Sequence, residues 1–232
     1  MDYGEFDKHF GRRAAAQALR EEIDAAWAVR DPTASSMMPG DDVIAAEYEQ
    51  WLPESYFNCL KGQHPTCQGP GSCGERCAAA YWRQHSKDVA AMLENLATAL
   101  GEDRDLWRIT GLLHDLDYLK SPHHDPDASS EQAHPVAISR WMFQFGMPRA
   151  AVLAVLEHSP HLGMPASSKL SHALIACDEH ATMTADGQMP HYPSDIPQAI
   201  LGCLSDSAPR IDGFVRNDML ERATVALRAL AA

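Results

Sequence analysis

The sequence predicts an all-α fold, and three observations carry that expectation. Apolar residues recur at helical spacing in one segment after another from residue 78 onward. Glycines and prolines fall at the ends of those segments, where they stop helices. Period-2 alternation bounded by turn residues, the signature of strands, is nearly absent. The 232 residues, 45% of them hydrophobic, suffice to bury the core of one good-sized domain, or of a domain with an extension.

Residues 7–30, rich in Ala, Arg and Glu, read as a helix closed by Asp31-Pro32. Residues 31–40, DPTASSMMPG, read as a loop, and a short helix is expected over 41–51. Residues 53–77 are rich in Gly, Pro and Cys and follow no period. Residues 1–77 are therefore expected to be an N-terminal helical extension with a Cys-rich loop, ahead of a helical bundle over 78–232.

In 82–100, His85, Val89, Met92, Leu96 and Leu100 share one face, and Gly101 supplies a stop. In 103–120, Ile109, Leu112, Leu113 and Leu116 form one stripe, with Trp107, Gly111, His114 and Tyr118 opposite. A helix apolar nearly all round is a central one. His134-Pro135 opens the next helix, whose face carries His134, Ile138, Trp141 and Phe145 and which Gly146 ends. Helix 148–159 aligns Ala151, Val155 and His158 before Pro160. Helix 168–183 turns Leu170, Ala173, Leu174 and Cys177 inward, with Asp178 beside them. Two more helices are expected near 194–204 and 216–231. Cys177 and Cys203 read as small core residues.

A formal net charge of −13 argues against nucleic acid polymers and anionic membranes as partners, and for a small-molecule substrate. No run of about 18 apolar residues suggests a membrane span. The opening MDYGEFDKHFGRR lacks the apolar stretch of a secretory signal. With six cysteines better suited to metal than to disulfides, a cytoplasmic location is expected.

The polar residues on the buried faces are His85, His114, Asp115, His134, His158 and Asp178. Burying a His-Asp pair costs free energy unless something compensates. Helices packed as a bundle can bring all six to one point, and imidazoles with carboxylates are ligands for Fe, Mn, Zn, Co or Ni. A cation would offset the buried charge. Each residue also has a plainer role available: His134 as a helix cap, and His158 as a last-turn residue favoured by the helix dipole. His123, His124, His161, His172 and His180 are left at the surface or the pocket rim.

His85, then His114-Asp115, then Asp178 resembles the H…HD…D signature of the HD-domain superfamily of metal-dependent phosphohydrolases. LWRITGLLHDLDYLK and ALIACDEHATM look like its small HDIG-type members, over roughly 78–231. The resemblance implies that His85, His114, Asp115 and Asp178 hold one divalent transition metal. It implies that His134 and His158 hold a second, with Asp115 bridging both. The implied activity is hydrolysis of a small phosphorylated compound, a phosphomonoester or nucleotide, by metal-activated water. Lys120 would then contact the anionic substrate as a point charge, and Asp117 would orient the water or His114. Lys120 as a solvated helix end is the plainer alternative. Similar six-ligand proteins are di-iron oxygenases that use O₂, and the same donor set would serve a small polar or phosphonate substrate there. In that reading Tyr81 is a candidate lid or ligand, or else a packing residue. A regulatory domain that keeps the fold for ligand sensing is a third reading.

Cys59, Cys67, Cys73 and Cys77, with His64 among them, suggest a second metal site holding zinc or an iron–sulfur cluster. Their spacing matches neither standard pattern, and free thiols in an ordinary loop remain the alternative.

Overall fold

The computed structural model describes residues 3–31, 35–51, 78–118, 129–185, 190–205 and 218–232. Within its helices, the side chains of residues 3–10, 49 and 78–81 lie outside the description. The four cysteines of the 59–77 segment, His64, Lys120, His123, His124 and the Tyr81 side chain therefore fall outside it.

The described residues are helical, with no strand among them. The helices are α1 (Tyr3–Val29), α2 (Asp41–Trp51), α3 (Ala78–Leu100), α4 (Arg104–Leu113), α5 (Val136–Phe145), α6 (Arg149–His158), α7 (Lys169–Ala185), α8 (Gln198–Leu201) and α9 (Met219–Ala231). Asp103 starts α4 by accepting a hydrogen bond from the Leu106 amide at 3.0 Å. Gly101 and Gly146 end α3 and α5 with φ of 69° and 89°, a conformation that only glycine adopts without strain.

Three expectations needed adjustment. The predicted helix 103–120 stops at Leu113, and residues 114–118 form consecutive turns. The reason is local competition for backbone groups. The Nδ1–H of His114 donates to the Gly111 carbonyl at 2.8 Å, and the Leu116 amide reaches only Leu113. The predicted helix 194–204 shrinks to α8, because Pro197 caps it and keeps residue 196 out of helical conformation. α7, expected to bury one face, is buried nearly all round, since it packs against α3, α6 and α9. His180 is therefore not at the surface. It is 7% exposed, and its Nδ1 shares a hydrogen bond with the Tyr192 hydroxyl at 2.9 Å. Cys177 and Cys203 are buried as expected, and desolvation pushes the Cys177 thiol well up.

The core is shared between α1, α2 and the later helices: Leu19, Ile23, Ile44 and Tyr48 belong to the same cluster as Leu93, Met142 and Leu156. α1 lies on α5 and α6. Its Arg20 donates to Glu157 at 2.9 Å. That buried carboxylate also accepts from the Ser167 amide and, at 2.6 Å, from the Ser171 hydroxyl. With three donors the Glu157 charge is well compensated, and it fixes α1 one residue away from His158.

α3 and α4 cross closely at Gly111. A Cβ there would stand 2.6 Å from the Ala90 Cα. The absence of a side chain lets the two backbones approach, and this sets His85 and His114 side by side, with ring centroids 5.4 Å apart.

Candidate metal centre

Six side chains meet where α3 and α7 pass the turns that flank α4, α5 and α6. His85 comes from α3, His158 is the last residue of α6, and Asp178 lies on α7. His114 and Asp115 sit in the turns after α4, and His134 sits in the turn before α5. The five His and Asp residues other than Asp178 are at most 7% exposed. The Asp178 side chain is 20% exposed and marks the open side.

Asp115 stands at the middle and divides its oxygens. Its Oδ2 lies 3.3 Å from Nε2 of His114 and 3.6 Å from Nε2 of His85. Its Oδ1 lies 3.4 Å from Nε2 of His134 and 3.6 Å from Nε2 of His158. Asp178 Oδ1 completes the first group, 3.1 Å from His85 and 3.8 Å from His114. Each group, His85–His114–Asp115–Asp178 and Asp115–His134–His158, offers ligand atoms that lie within 4.8 Å of one another, close enough to hold a metal ion.

The backs of three imidazoles are taken. Nδ1 of His114 faces the Gly111 carbonyl, Nδ1 of His158 the Val155 carbonyl at 2.6 Å, and Nδ1 of His134 the Asp117 carboxylate at 2.7 Å. A ring that donates from Nδ1 presents a lone pair at Nε2 when neutral. Here those lone pairs face carboxylate oxygens, so acceptors confront acceptors. Nε2 of His114 is buried and has no partner of hydrogen-bond geometry among the described residues. A cation or a proton between the groups resolves the conflict.

The titration behaviour of the ion-free cluster follows. Burial works against charging His114, but the Asp115 and Asp178 carboxylates outweigh it and hold its pKa well above the ordinary value. Burial opposes the proton on His134 too, and Asp117 overcomes it. At His158 burial prevails and the pKa falls. Burial opposes ionisation of Asp115 and Asp178, yet the neighbouring imidazoles keep both below the usual carboxylate range. The donor set suits a divalent metal: the carboxylates are ionised, and the imidazoles become ligands once a cation displaces their protons.

Asp117 takes a different place from the one expected. Its side chain is fully buried and touches His134, not His114. Three features escaped the sequence reading. Trp82 lies edge-on to His85 and at 4.4 Å, centroid to centroid, from Tyr118, which in turn packs edge-on to His134. Trp82 is one helical turn before His85, so spacing alone held that signal. Arg222 of α9 donates to the His158 carbonyl at 2.8 Å and to Glu179. It and the Glu157 clamp are separated from their partners in the chain, and no local pattern announces them.

Fold and donor set together define a helical bundle with a buried His–Asp cluster that could hold a divalent metal. Residues 82–187 match the family model described as the HD domain. Proteins with this domain are generally metal-dependent phosphohydrolases. All six clustered residues lie inside the matched stretch, whereas α1, α2 and α9 lie outside it. No curated protein and no solved structure matches the chain significantly. No helix among the described residues is long and apolar enough to cross a membrane.

Proposed function

We propose that the protein is a dinuclear metal-dependent hydrolase of a small phosphorylated compound, a phosphomonoester or nucleotide. The observation that carries this is the division of Asp115, with one oxygen facing each of two imidazole pairs. His85, His114, Asp115 and Asp178 would hold the first ion, and His134 and His158 the second, with Asp115 shared. Bound transition metals supply Lewis acidity, charge neutralisation for phosphoryl oxygens and acidification of water toward neutral pH.

The chain does the rest. The backbone carbonyls of Gly111 and Val155 fix the orientation of His114 and His158. Asp178, the partly exposed member, marks the side from which substrate approaches. Trp82 and Tyr118 wall the cluster beside His85 and His134 and limit water there. Lys120, five residues after Asp115 in the sequence, is proposed as a cationic contact for the substrate anion.

The test is hydrolysis of a panel of nucleotides and phosphate esters with Mn, Co, Ni or Fe added, beside a native metal inventory. His114→Ala is expected to lower kcat/KM by at least a hundredfold, with the helical circular dichroism retained. Full hydrolysis by that variant refutes the assignment. Oxygen consumption by an iron-loaded sample that hydrolyses nothing selects the oxygenase instead.

A further inference from the structure

The two halves of the centre are backed differently. His114 and His158 lean on backbone carbonyls three residues earlier, which a preceding helix supplies to any sequence. His134 stands ahead of its helix, in the turn before α5, and a carboxylate takes the place of that carbonyl. Asp117 uses both oxygens: Oδ1 accepts from Nδ1 of His134 at 2.7 Å, and Oδ2 accepts from the Ile138 amide at 3.0 Å. The Ile138 amide belongs to the first turn of α5, whose Pro135 cap provides no side-chain hydrogen bond. One buried carboxylate thus ties the turns after α4 to the start of α5 and sets the imidazole between them.

The geometry points to Asp117 as the positioning residue that decides whether the second ion is held. This rests on the two-ion reading above and extends it. The first group has four ligand atoms and owes Asp117 nothing. The second has three, and one of them depends on Asp117 for its orientation. Loss of an outer carboxylate behind a ligating imidazole typically weakens metal binding by about 10–100-fold. The effect should fall on one ion alone.

The experiment is titration of the metal-free full chain with Mn²⁺ by calorimetry, with bound metal counted independently. The wild type should take two ions. Asp117→Asn, nearly isosteric but with a single acceptor, should keep the first affinity and weaken the second by about 10–100-fold. In a His134→Ala background the same change should cost nothing further, because its route runs through that ring. Thermal midpoints of the metal-free variants expose a folding defect. Asp117→Ser, read in the same way, serves as a second variant if Asn is poorly accommodated. Two unchanged affinities in the variants, an equal loss at both sites, or an undiminished loss in the His134→Ala background each overturn the assignment. A wild type that takes one ion or none overturns the two-ion reading itself, and this proposal with it.

Discussion

At the scale of single residues, the cluster is a contest between protons and cations for the same Nε2 lone pairs. His114 and His134 have raised pKa values in the ion-free protein. A raised value means that the stability they contribute is fully present below the unfolded histidine pKa of about 6.5. That contribution is lost as pH rises through the folded values. Ions act in the opposite sense, because they need neutral imidazoles. Mn²⁺ is thus expected to raise the thermal midpoint more at pH 8 than at pH 6 and to release protons on binding. Calorimetry in buffers of different ionisation enthalpy checks this, and equal heats in all buffers would contradict it. Asp115 and Asp178, held low, enter only as pH falls below about 4. The six clustered residues were legible in the sequence because polar residues on apolar helical faces stand out. The partner of Asp117 was not, because a turn of the chain decides it and 17 residues separate it from His134.

Among elements, the crossing of α3 and α4 is the most exacting. Gly111 admits the Ala90 backbone, and its carbonyl also orients His114. Gly111→Val would drive a branched side chain into backbone that cannot rotate away. A loss of about 1–3 kcal/mol is expected from overpacking, together with weaker metal binding as His85 and His114 separate. Urea unfolding and metal titration measure the two effects, and a variant equal to wild type in both would show that the crossing tolerates bulk. Helix existence was readable from apolar spacing over 82–183, and from composition in 7–30. Helix ends were less so: α4 ends early because His114 captures a carbonyl, and a side-chain contact of that kind leaves no trace in periodicity.

For the whole molecule, the notable point is how far the bundle reaches beyond the matched HD segment. Ala16, Leu19 and Ile23 of α1 are fully buried, and Arg20 pairs with Glu157 beside a candidate ligand. Exposed pairs such as Arg140–Glu22 add little, so apolar burial does most of the joining. A fragment spanning 78–232 is expected to melt with reduced cooperativity and to bind a hydrophobic dye. A sharp transition close to that of the full chain would establish that α1 and α2 are dispensable. At the opposite end of the chain, Arg222 on α9 secures the carbonyl of His158. The centre is thus braced on two sides by helices from outside the matched region.

The sequence by itself determined the helical class, the order of the main helices and which six His and Asp residues to look for as a cluster. Residue type and a 3.6-residue period are local properties, and they survive translation into structure. Only the tertiary structure decided that Asp115 faces both ways, that Asp117 serves His134, and that α1 and α9 brace the site. Those facts depend on where separate helices cross and end. Backbone clearance at Gly111 and long-range hydrogen bonds set those crossings, and no window along the chain contains both partners.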